Sequence, residues 1–198
     1  MTERTVFREL MQSAAGTELP HWPRVADALM VRTVEAGGTV FLQGVEHPFV
    51  YAVKTGLLKL CYSSEDGTEW IKSFASEGRF FASIAALQPS GRTSFMVTAI
   101  EDSVLERLDY RLLGDLAQKH LAWSHALHAM TLVFAARKEA RERELLTLDA
   151  QDRYLAFCEA HPNLSRRIPQ KDLARHLGVT PVGLNRIIMR LRRLGGRP

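Results

Sequence analysis

Cysteine is scarce in this chain: only Cys61 and Cys158 occur, far apart in sequence. Two such thiols exclude a four-cysteine cluster or a CxxC site built from one chain, fit a reducing compartment, and read most simply as buried free cysteines. Long hydrophobic runs are missing as well. No stretch reaches the roughly 18 apolar residues a membrane span needs, and the opening "MTERTVFREL" lacks the apolar block of a signal peptide, so a cytoplasmic protein with no membrane partner is expected. No HExxH and no Ser/His/Asp or Cys/His grouping stands out, and no enzyme, metal or cofactor is predicted. His125 and His128, three apart, have no carboxylate partner and read as packing or surface residues. Acidic residues thin out at one end. From Arg166 onward nine basic residues face one acid, Asp172, a segment of +8, while the residues before it hold 17 basic and 21 acidic groups, or −4. A basic block behind an acidic body points to a polyanion at that end, double-stranded DNA first among them, although a merely solvated face would carry the same charge.

What is present falls into three parts. Gly44, Gly56, Gly67 and Gly78 punctuate segments of β-branched and aromatic residues, and in "LLKLCYSSEDG" a period-two strand runs into a hairpin turn. An all-β unit is predicted over about residues 30–108, behind a short helix near Val6 to Ala14, with "ALQPSGRTS" as a longer loop. From Tyr110 the period is helical. "LAWSHALHAMTLVFAA" has apolar residues around its whole circumference, which predicts cover on both sides. Trp123, Leu127, Met130 and Phe134 follow coiled-coil-like spacing and are assigned to a dimer interface; Leu121, His128, Leu132 and Ala135 are assigned to the β unit; a buried helix of a monomer is the alternative. "RKEARERE" then forms a solvated connector. The expected domains are 1–118, 119–147 and 148–198.

The run "RIPQKDLARHLGVTPVGLNRIIMRLRR" predicts two short helices. Pro169 suits the first turn of one, Gly178 its left-handed end, and Thr180–Pro181 the cap and first turn of the next. Leu184, Ile187, Ile188 and Leu191 then share an inward face. Val182, Asn185, Arg186, Met189 and Arg193 share the outward one, with Arg190 at its flank. An apolar back with a narrow polar front is what a major-groove helix requires.

In this order the pieces resemble the CRP/FNR family of bacterial transcription regulators. The β half carries the likeness in "AGGTVFLQG", "VYAVKTGLLKL", "EDGTEWIKSFASEGRFF" and "AIEDSVLERLD", and the C-terminus carries it in the helix-turn-helix run. The resemblance implies an α+β fold: an N-terminal β-roll of the cyclic-nucleotide-binding, jelly-roll type, a long dimerisation helix and a C-terminal helix-turn-helix domain. It also implies a homodimer on a near-palindromic operator, with RNA polymerase as a further partner.

Departures from the family pattern shape the site expectations. Where the cyclic-nucleotide cassette has Gly-Glu and Arg-Ser, this chain has Ala82 and Ser83, then Thr93 and Ser94, with Arg92 one position early. On the long helix Lys138 and Glu139 replace the polar pair expected to meet the base. A serine supplies no carboxylate acceptor and a displaced arginine loses a charge-assisted phosphate contact, so cAMP is not the expected effector and its identity stays open. On the second helix the family's Arg, Glu and Arg fall at Pro181, Val182 and Arg186. Arg186 is assigned to a guanine, Asn185 to an adenine and Val182 to a thymine methyl, with Gln170, Lys171, Thr180, Arg190 and Arg193 on phosphates. The family often has a hairpin wing after this helix, whereas this sequence ends in "LGGRP", so either the wing contacts are expected to be missing or the sequence is shortened. The competing expectation is a cyclic-nucleotide-binding module for which DNA contact is secondary.

Overall fold

The computed structural model describes residues 5–193. Two short helices, α1 (Val6–Ala15) and α2 (Trp22–Ala28), precede eight strands. These are β1 (Met30–Val34), β2 (Thr39–Phe41), β3 (Phe49–Thr55), β4 (Leu57–Ser63), β5 (Glu69–Ser76), β6 (Phe80–Phe81), β7 (Met96–Ala99) and β8 (Ser103–Asp109). They form two antiparallel four-stranded sheets, β1-β8-β3-β6 and β2-β7-β4-β5, that face each other as a β-roll. The β3–β4 turn depends on Gly56: its φ is +99°, and a side chain there would meet the Ser103 Oγ at 2.2 Å.

Strand alternation gives each sheet two jobs. On β3 and β8, Tyr51, Val53 and Leu105 point into the roll, while Val50, Ala52 and Leu108 point outward to a second core made with the helices. Glu106 lies on that outward face and is 1% exposed. Its carboxylate accepts from the backbone N–H groups of Val6 at 3.2 Å and Phe7 at 2.6 Å, so it caps the N-terminus of α1.

After β8 come α3 (Tyr110–Lys119) and the 27-residue α4 (Leu121–Thr147), in which the polar connector continues the apolar half without a break. The structure reverses the expected faces of α4. Trp123 and Met130, assigned to a dimer interface, are buried within the chain, and Leu127 and Phe134 pack beside them on α1 and α3. Trp123 donates its indole N–H to the Pro20 carbonyl at 2.8 Å and stacks on Trp22. Leu121 and Leu132, assigned to the β unit, are 70% and 55% exposed, and His128 and Ala135 are exposed too. A large aromatic ring gains most from the deepest site available, and α1 with α2, of which α2 has little sequence signal, supplies it.

The C-terminal part consists of α5 (Ala150–Ala160), α6 (Leu164–Arg167), α7 (Gln170–Leu177) and α8 (Pro181–Arg193). Asp149 caps α5, its side chain accepting from the Asp152 N–H. Pro169 stands at the N-cap of α7 rather than in its first turn, so the helix begins at Gln170. The closing "LGGRP", on which the expectation of a missing wing rests, lies outside the described residues.

Candidate nucleic-acid interface

Between α7 and α8 the chain turns within three residues. Gly178 has φ +72° and donates to the Ala174 and Arg175 carbonyls, which ends α7 in a left-handed cap. The Thr180 hydroxyl accepts from the Gly183 N–H at 3.0 Å and starts α8. Leu184 and Leu191 are buried against α7, with Ile187 and Ile188 half-buried beside them. The opposite side of α8 presents Val182, Asn185, Arg186, Met189 and Arg193, all exposed. At the start of α7, Gln170 and Lys171 are exposed beside this front. Arg190 is exposed but already donates to the Gln151 side chain on α5. Lys171, Arg186 and Arg193 have no acidic partner among the described residues, so free cations stand on this front and beside it.

The basic block is less free than its composition suggests, because the helix-turn-helix is docked on the roll. From α6, Arg167 donates to Glu101 at 2.5 and 2.9 Å and to Glu77 at 2.9 and 3.0 Å. On α7, Arg175 reaches Glu69 of β5 at 2.6 Å, and Asp172 lies 3.6 Å from Lys59 of β4. His176 is buried between the rings of Phe74 and Phe157, with Nδ1 3.4 Å from the Ile71 carbonyl, while Arg141 of α4 donates to the His176 carbonyl. Burial, with the Arg141 charge second, pushes the His176 ring down to about 3, so it sits neutral. Hydrogen bonds from Arg167 hold Glu77 down at about 2. Leu57, Phe74 and Ile100 of the roll share one apolar cluster with Tyr154, Ile168 and Leu177. None of these docking residues carries a recognisable motif; their only signal is the acid content of the roll.

The expected effector pocket is closed by its own groups. Ser83 and Thr93 are 2% and 3% exposed. Ser83 Oγ accepts from the Ser94 N–H at 3.0 Å; the Thr93 hydroxyl donates to the Leu42 carbonyl at 2.6 Å and accepts from the Val45 N–H at 3.1 Å. Ala82 belongs to the outer core, and Arg92 points outward, donating to the Gly44 carbonyl at 2.9 Å. Between the sheets, Tyr51 stacks on Phe81 at 4.9 Å, and Phe41 packs against both and against Phe95. Above them His47 shares a 2.9 Å hydrogen bond with the Tyr51 hydroxyl, and burial with Arg107 and Arg32 holds its ring down at about 4. The structure thus brings Ser83, Arg92, Thr93 and Ser94 together. It leaves Lys138 and Glu139 exposed on α4, with no hydrogen bond or ion pair to that loop among the described residues.

Other candidates are quiet. Cys61 is fully buried, its thiol pushed up to about 11 by burial and Glu69, and Cys158 is half-buried and also raised. His125 and His128 are exposed, and no group of three or more potential ligands among the described residues could hold a metal ion. No described helix is long and apolar enough to cross a membrane.

Comparison with known proteins agrees with this architecture. Residues 31–120 match the cyclic nucleotide-binding domain family. The fumarate and nitrate reduction regulatory protein of Salmonella typhi is 25% identical over 181 residues, covering 83% of this chain and 69% of its own length. Regulatory protein HlyX of Actinobacillus pleuropneumoniae is 26% identical over 179 residues, covering 83% and 72%. FixK2 from Bradyrhizobium japonicum shares the fold with a TM-score of 0.73 at 20% identity, over 84% of this chain and 86% of that one. Residues 31–120 thus match the cyclic nucleotide-binding domain family, and with its β-roll, long helix and C-terminal helices the chain is similar over most of its length to these regulatory proteins and shares the fold of FixK2.

Proposed function

We propose that this chain is a cytoplasmic, sequence-specific DNA-binding regulator that acts as a homodimer on a near-palindromic operator. The observation that carries the reading is the front of α8: five exposed residues on a helix whose back is buried. Arg186 is the one long cation at the centre of that front. Its fork matches guanine O6 and N7, a contact worth about 1 to 3 kcal/mol of discrimination. Asn185 suits an adenine and Val182 a thymine methyl. Gln170, Lys171, Thr180, Arg190 and Arg193 surround them as phosphate contacts that set register, Arg190 exchanging Gln151 for a phosphate. Residues 1–118 serve as the regulatory roll, 119–147 as the dimerising helix and 148–198 as the reader. RNA polymerase is the partner through which occupancy becomes regulation.

The second copy of the chain packs on the exposed side of α4, around Leu121, His128 and Leu132, because Trp123 and Met130 are already used internally. The roll interior is not a cyclic-nucleotide pocket. Aromatic rings fill it, and the hydroxyls at the cassette positions satisfy neighbouring backbone groups instead of a phosphate.

Binding titrations on a single selected site test the roles of the reader. Lys171→Ala weakens binding to all sequences alike and lowers the salt dependence by about one ion, whereas Arg186→Ala equalises affinity across one base position. Retention of both the salt slope and the base preference in the two variants would contradict the assignment. Calorimetry with cAMP tests the pocket: saturable micromolar binding, lost in Ser94→Ala, would favour the cyclic-nucleotide module instead.

A further inference from the structure

A groove of about 230 Å³ runs outside the roll, between α1, the β5–β6 turn and α4. Leu10, Ala14, Phe80, Val133 and Phe134 give it apolar walls, and Arg137 lines it as its one charged residue. Arg79 lies between the lining residues Gly78 and Phe80, and its charge acts on the Arg137 guanidinium, which is drawn below its usual range by burial and by that neighbour. His161 feels the same two arginines, and burial holds it neutral over a wider range than usual. Neither the Arg79 nor the Arg137 side chain has a hydrogen bond or ion pair among the described residues, whereas Arg111, Arg141, Arg167 and Arg175 each have a carboxylate within reach.

Two unpaired like charges beside apolar walls form an unbalanced arrangement that an anion would correct. Arginine's fork suits a carboxylate, and the volume, equal to about eight waters at roughly 30 Å³ each, admits a short chain or single ring behind it. We propose that this groove binds a small amphiphilic monocarboxylate, its carboxylate on Arg137 and Arg79 and its apolar tail along Phe80 and Val133. The site is separate from the roll interior. By helical periodicity it lies on a different side of α4 from Leu121 and Leu132, so a second copy packed there leaves it accessible. Because α1, β6 and α4 all contribute, occupancy ties the long helix to the roll, the connection a regulatory ligand needs.

Calorimetry of the full chain in low salt, with octanoate and octan-1-ol as probes, tests this without involving DNA. Octanoate is expected to saturate one site per chain, and octan-1-ol to bind at least about tenfold more weakly, since a charge-assisted contact is lost. Arg137→Gln lowers octanoate affinity about tenfold while thermal unfolding stays unchanged; Val133→Asp, at an exposed position, places a negative charge in the groove and abolishes binding. Absence of saturable octanoate binding, equal binding of acid and alcohol, or undiminished binding by both folded variants would overturn the proposal.

Discussion

A carboxylate 1% exposed inside a strand is costly unless its oxygens are used, and Glu106 uses both, one on each of two backbone donors of α1. Glu106→Ala leaves those donors without an acceptor under a packed helix and is expected to cost about 3 kcal/mol in urea unfolding, with Glu106→Gln intermediate. An equal stability of wild type and Glu106→Ala would show that α1 is held by its apolar contacts alone. In the sequence this residue is invisible, because an acid in "SVLERLD" reads as the solvent side of a half-exposed strand. Only the helices that cover the outer face of β8 make it internal. Arg186 is the opposite case: the Thr-Pro start and the spacing of Leu184, Ile187, Ile188 and Leu191 place it outward by local pattern alone, and in the fold it is exposed. Arg167 and Arg175 sit between these extremes. Their charge is plain in the sequence, but their occupation by Glu69, Glu77 and Glu101 is a long-range fact that no local pattern encodes.

At the scale of elements, α4 shows why a helix can be foreseen while its orientation cannot. Apolar residues surround its first half, so periodicity has no phase, and the coiled-coil-like spacing of Trp123, Leu127, Met130 and Phe134 is equally served by the intrachain contacts it makes. The strands and the helix-turn-helix are more legible, since hairpin turns, caps and a single apolar stripe each carry a phase. With the faces assigned from burial, Leu121→Glu combined with Leu132→Glu is expected to give monomers in light scattering with the thermal midpoint of the monomer fold retained. Met130→Glu, 8% exposed in the wild type, is expected instead to lower stability by several kcal/mol by placing a charge in the core. A dimer mass unchanged in the double variant would move the interface off α4.

For the whole molecule, the docked helix-turn-helix is the feature that connects roll to reader. The interface joins an apolar cluster to ion pairs and a neutral His176, and its pH dependence has a defined sign. His176 is depressed to about 3 when docked and returns toward 6.5 when released, so the released state binds more protons below pH 6.5. Docking is therefore fully favoured above that value and weakens as pH falls, by about 2 kcal/mol at pH 5 if His176 alone is counted. Glu77, held near 2, adds in the same direction below about pH 4.5. Hydrogen exchange of the β5 amides between pH 7.5 and 5.5, corrected for intrinsic rates, should show loss of protection on acidification, and His176→Phe should flatten that change; pH-independent protection in the wild type would contradict the latch. Under the proposed function, such a latch would let a ligand or a proton bias the orientation of α8 by a population shift. The central claim, however, is that the α8 front reads bases in a dimer. In-vitro selection of DNA sites at fixed salt with wild type and Arg186→Ala addresses it directly. The account predicts a near-palindromic motif with half-sites about one helical turn, roughly 34 Å, apart, in which Arg186→Ala loses preference at one symmetry-related base position and keeps the rest. No enriched motif with the wild type, or an identical motif with the variant, would contradict it.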